Sequence, residues 1–217
     1  MYERKISKTL LVIILILVVV IIAGIIIVFN TPIFHNLENI DEPVQTSCSY
    51  ELFSTSVDRQ VTKITKVANY KIKGIVLAVN PYFPVNTIDK LSIVDVVIGW
   101  GNLTVNDNYK KFSALNIINR ELIWKMDSNS MSELGGLNDV ISNFSMNHLI
   151  YKDQSIRDDF GFINKGDYIE LEGYLVNVDF EEDGEWNTSL SRTDTGSKAS
   201  EIIYVEHIKW LKKNIEK

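Results

Sequence analysis

A chain of 217 residues with 22 Lys and Arg against 28 Asp and Glu carries a net charge of −6 at neutral pH. That balance argues against nucleic acid as a partner, because phosphate backbones reward clustered Lys and Arg. The single cysteine, Cys48, excludes an intrachain disulfide and leaves only a bond between chains open.

Residues 10–29 run without a charged or hydrogen-bonding side chain. At about 1.5 Å per residue such a run spans the roughly 30 Å hydrocarbon core of a bilayer, which predicts a transmembrane helix over residues 9–29. A cleaved signal peptide would have an apolar region of about 7–15 residues ending at a small-x-small site. Here the run is longer and closes on IIIVFNTP. Arg4, Lys5 and Lys8 precede it, whereas Glu38, Asp41 and Glu42 are the first charges beyond it. The bias of basic residues places residues 1–8 in the cytoplasm and the rest outside, a single-pass protein of the cell membrane. Cys48 lies too far beyond the apolar run to be a lipid-modified cysteine.

Residues 30–49 mix Thr-Pro and Glu-Pro with scattered apolar residues and read as a juxtamembrane linker. Residues 50–217 read as one extracytoplasmic β-rich domain of ordinary size. Without Glu3, Arg4, Lys5 and Lys8, the charged residues of the first 29, the chain keeps 19 basic and 27 acidic residues, a net charge of −8. The domain is expected to open with an amphipathic helix, because Phe53, Val57, Val61, Ile64 and Ala68 recur at helical spacing.

Strands follow. Residues 70–79 and 93–98 are rich in β-branched residues and stop at Asn80-Pro81 and at Gly99-Trp100-Gly101. A short helical turn is expected over 107–113 and a third strand over 115–126. A brief helix over 153–162 starts at Asp153, a residue type that caps helices. Residues 168–180 suit a long strand bent at Gly173, residues 185–190 return from a hairpin, and 202–210 supply a last strand. The fold class is mainly β with minor α: a small OB-like β-barrel is the first expectation, since a glycine-bent strand and a helix before the fourth strand suit it, and a β-sandwich is the alternative.

The densest polar chemistry lies in two places. Residues 145–150 contain Asn147 and His148, and residues 189–201 contain Arg192, Asp194 and Glu201. His148 could act as acid, base or ligand near neutral pH, Arg192 offers a planar fork for an anion, and Asp194 or Glu201 could orient either. The competing interpretation is a structural network of turns and ion pairs. The loop 191–200 is expected to return beside Asn147 and His148, with Arg192 paired to Asp194 or Glu201 or aimed into a concavity. Trp100, Trp124 and Trp186 are aromatic candidates for stacking on a ligand, or else rings that close the ends of the barrel. No metal site is expected: His35, His148 and His207 are not at ligand spacing, and the calcium-like run Asp179, Glu181, Asp183, Gly184 has Leu190 where a carboxylate is required. No cofactor motif is present. Asn102, Asn143 and Asn187 head N-glycosylation sequons.

The sequence resembles a group of uncharacterised membrane-anchored proteins of prokaryotes. The residues that carry the likeness are Gly99-Trp100-Gly101, Asn147-His148-Leu149-Ile150, Gly166-Asp167 leading to Gly173-Tyr174-Leu175-Val176, and Trp186 with Ser189-Leu190, Arg192, Asp194-Thr195-Gly196 and Glu201. Where that pattern often has a cysteine, this chain has Ser200, a hydroxyl in place of a thiol. The resemblance implies one domain with the last motif as its hallmark, and no activity. Two functions follow as expectations. The first is an anchored module that binds a partner protein or an envelope component. The alternative is a hydrolase of phosphodiesters or glycans using His148 with Asp194 or Glu201, and Arg192 holding an anion.

Overall fold

Val, Ile and Thr crowd the chain after residue 60, and their branched Cβ atoms favour extended backbone. In the computed structural model, which describes residues 17, 18, 20, 37–57, 60–181, 184–191 and 200–214, three strands come first: β1 (Val44–Thr46), β2 (Glu51–Val57) and β3 (Gln60–Pro81), the last 22 residues long. After them come helix α1 (Thr87–Leu91), strand β4 (Val94–Gly99), a 3-10 segment (Gly101–Lys111), and the hairpin β5 (Ser113–Ile118) and β6 (Glu121–Lys125). Helices α2 (Ser128–Glu133) and α3 (Leu137–Ile141) lead to β7 (Phe144–Tyr151), helix α4 (Gln154–Phe160), β8 (Tyr168–Asp179), β9 (Glu185–Trp186) and β10 (Glu201–Lys212).

The fold is mainly β with one large sheet in the order β1-β3-β4-β7-β10-β8-β9, and β2 pairs with β3. The strand β3 also pairs with β8, so the pairings run from β3 through β4, β7, β10 and β8 and return to β3. All of these are antiparallel except β7 with β10, which is parallel. The hairpin β5-β6 forms a separate two-stranded sheet.

Two strands must bend to serve so many neighbours. Register shifts at Lys66/Ala68 and Val76/Ala78 break the ladder of β3, and the Val205/His207 shift in β10 lies opposite Gly173. A Cβ at Gly173 would run into the Tyr204 carbonyl oxygen. The bend expected at that glycine is therefore a close approach of backbones that no side chain could enter. Alternation sorts the two faces: Val94, Val96 and Ile98 of β4, with Leu149, Ile203 and Val205, join the larger apolar core, while Ile150, Ile202, Leu91, Val176 and Val178 form a second cluster.

Several expectations are corrected. The helix expected from Phe53 to Ala68 is the pair β2 and β3. Its spacing of three and four residues arose because Phe53 and Val57 sit on one strand and Val61, Ile64 and Ala68 on the next, with Val57 opposite Gln60. Thr-rich alternation and backbone partners on both sides of β3 decide for strand. Part of the stretch expected as linker, 30–49, belongs to the domain: β1 pairs with β3, and buried Ile40 donates its N–H to Thr104 Oγ1. The third strand expected over 115–126 is the hairpin β5-β6, and β7 takes its place in the large sheet. The helical turn expected over 107–113 lies mostly within the 3-10 segment. The helix at Asp153 forms as expected, with the Asp153 carboxylate accepting the Ile156 N–H at 3.1 Å. The expected membrane span lies almost wholly outside the described residues, and among the described residues no helix is long and apolar enough to cross a membrane.

Candidate binding site

A carboxylate in the middle of an apolar strand needs partners. Asp95 interrupts the run Val94, Val96, Val97, Ile98 in β4 and is fully buried. Directly across the ladder stands His148 of β7, 3% exposed, whose Nδ1 lies 2.8 Å from Asp95 Oδ1. The same oxygen accepts from Arg120 Nη1 at 2.8 Å, and Asp95 Oδ2 accepts from the Tyr82 hydroxyl at 2.6 Å. A carboxylate is an acceptor only, so the Asp95 contact assigns the imidazole proton to Nδ1 and leaves Nε2 as the acceptor of the neutral ring.

Arg120 enters from the tip of the β5-β6 hairpin. Its second nitrogen, Nη2, donates to Asp89 Oδ1 of α1 and to the Ser92 carbonyl, both at 2.8 Å. The guanidinium carbon lies 3.9 Å from the centre of the Tyr82 ring and 5.4 Å from that of Trp186. Trp186 in turn packs on His148, ring centres 4.8 Å apart. Asn119 and Arg120 both have positive φ, 50° and 62°. A two-residue turn of that hand favours glycine at its second position, and an arginine there is tolerated when other contacts hold it.

Burial and the neighbouring Asp95 carboxylate both push the Tyr82 hydroxyl above its ordinary range, so it stays a donor to Asp95. The arrangement places two carboxylates, one guanidinium and one imidazole together, with two aromatic rings as walls. Its internal hydrogen bonds fix the orientation of the His148 ring through Nδ1.

The expected site residues separate. Glu201 is the register partner of Asn147, and Ile202 that of His148. Alternation therefore turns Asn147 and Glu201 to one face and His148 to the other, so the imidazole's carboxylate partner is Asp95 rather than Glu201. Asn147 is fully buried and donates to the Val96 and Ser145 carbonyls, a sheet-internal role. Arg192 and Asp194 lie outside the described residues. The ends of their loop do meet beside β7, since Ser189 N–H donates to the Ser200 carbonyl at 3.0 Å and Thr188 Oγ1 accepts from the Ile202 N–H. Trp100 is core, 2% exposed. Trp124 stacks on Phe112 and meets Phe144 edge-on. Of the three rings only Trp186 joins the cluster. Tyr82, Asp89, Ser92, Asp95 and Arg120 were not singled out from the sequence; Asp95, a lone acid within an apolar strand, carried the one available signal.

Compared with protein-family models, with curated proteins and with solved structures, the chain matches none.

Proposed function

We propose that this chain is a membrane-anchored, extracytoplasmic binding module built on an OB-like barrel, kin to the prokaryotic anchored proteins it resembles. The cyclic order of pairings, the parallel β7-β10 pair and helix α4 between β7 and β8 support the barrel. In that architecture the second and third strands of the barrel, with the loops after the first and fourth, form the usual ligand face. The corresponding strands here are β4 and β7, and the loops are 82–93 and 180–200. The observation that carries the reading is that Asp95 and His148 lie on those two strands, joined by Arg120 from the β5-β6 hairpin and bordered by Tyr82 from the first loop and Trp186 from the second. Net charge disfavours nucleic acid, which leaves an envelope glycan or protein as the ligand.

The fold likeness is an analogy, so the site must bear the test. Protease added to spheroplasts should remove the domain while Lys5 and Lys8 stay protected; survival of the domain until the membrane is lysed would refute the topology. The hydrolase remains a second reading because a histidine held by a carboxylate through Nδ1 presents Nε2 as a general base. Turnover of a phosphodiester or glycan that His148→Gln abolishes would favour it over the binding module.

A further inference from the structure

A cleft of about 450 Å³ lies between β2, α1 and the end of β7, and its lining contains none of Tyr82, Asp95, Arg120, His148 or Trp186. Its wall contains Phe53, Ser54, Thr55, Ser56 and Val57, five consecutive residues. A cavity against the face of a strand touches alternate side chains, so an unbroken run means that the cleft follows the strand's edge. The other edge of β2 is taken by β3, from Glu51 opposite Lys66 to Val57 opposite Gln60. Among the described residues β2 has no second strand neighbour. Its edge is also undefended: from Leu52 to Val57 it has no charge and no proline. Soluble proteins usually blunt such edges with Lys, Pro or a bulge.

The cleft is chemically selective. Ile64, Leu91 and Ile150, all buried, line it together with Lys90 and Lys152, and no carboxylate among the described residues does so. That is a basic lining in a chain of net charge −6. From these observations we infer that β2 accepts an extended acidic peptide as an added strand. The peptide's main chain pairs with residues 53–57, alternate apolar side chains face Ile64 and Ile150, and intervening carboxylates reach Lys90 and Lys152. Only a polypeptide repeats donors and acceptors at the period of a strand edge, which excludes a glycan here. Five residues of edge measure about 17 Å, enough to seat a segment of similar length. The inference rests on the reading of the domain as a binding module and names a partner class at a second place on it.

The test uses the full chain in detergent and fluorescein-labelled ten-residue peptides in which Glu alternates with Val, Ile or Phe, read by fluorescence polarisation. Binding is expected in the acidic series and at least tenfold weaker when Lys replaces Glu. Methylating alternate peptide nitrogens keeps every charge and side chain but removes main-chain donors, and it too should weaken binding at least tenfold. The double change Lys90→Glu and Lys152→Glu should reverse the charge preference. Equal binding of the N-methylated peptide would overturn strand addition, and no binding by any acidic peptide up to about 1 mM would overturn the site. Concentration-dependent dimers that the peptide disperses would assign the edge to a second copy instead. Failure here with a ligand still perturbing Trp186 would sink this inference alone; peptide binding with Trp186 indifferent to every envelope component would sink the proposed ligand face alone.

Discussion

Asp95 binds the candidate site together, because three other residues are placed by what it needs. A fully buried carboxylate is costly to desolvate, and Arg120, His148 and Tyr82 offset that cost through short hydrogen bonds. Arg120→Ala is expected to destabilise the domain by about 3–5 kcal/mol, as removal of one partner leaves a buried charge. Arg120→Lys should recover only part of this, since a single ammonium cannot reach Asp95, Asp89 and the Ser92 carbonyl together. Chemical denaturation of the three proteins measures it; equal stability of the alanine variant would show the network to be ornamental. Little of this was legible in the sequence. His148 and Trp186 stood out by type, but Arg120 was hidden in what reads as one continuous strand. The hairpin turns at Asn119 and Arg120 without the glycine that marks such turns, and tertiary contacts rather than local preference hold the arginine there.

Pairing between strands explains both what the sequence reveals of the elements and what it conceals. Gly173 marked the place where the backbones of β8 and β10 close in, and helix α4 was visible because its cause is local, an Asp cap. The identity of residues 53–68 was not, because whether a Thr-rich amphipathic run becomes helix or strand depends on partners far along the chain, here β8. Gly173→Ala should cost about 1–3 kcal/mol by forcing a methyl against the Tyr204 carbonyl, a loss that thermal melting would register and that an unchanged melting temperature would deny. The β3-β8 ladder also predicts a pH response. Burial alone would raise the Glu170 carboxyl, but hydrogen bonds and charge from Lys71 and Lys73 outweigh it and hold its pKa below the ordinary value. A carboxylate with a depressed folded-state pKa adds stability that is fully present above its unfolded pKa, 4.5, and is lost as pH falls through the lower folded value. Glu170→Gln should therefore lower stability at neutral pH and flatten its decline below about pH 4.5. Parallel acid-unfolding curves for the two proteins would remove Glu170 from the account.

At the scale of the whole molecule, the pairing order and the cluster come together in one claim, that the surface of β4 and β7 between Tyr82 and Trp186 takes a ligand without transforming it. The chain from residue 37 onward includes every strand of the large sheet and both apolar clusters, so it is expected to fold without the N-terminal segment. Isotope-labelled protein of that span, titrated with envelope polysaccharide fragments and separately with envelope protein extract while NMR spectra are recorded, tests the claim most directly. The account predicts that one of these shifts the Trp186 indole N–H and the amides of residues 95–97 and 146–148, and that the ligand is recovered unchanged. Shifts confined to other surfaces, or steady conversion of the ligand to product, would contradict it.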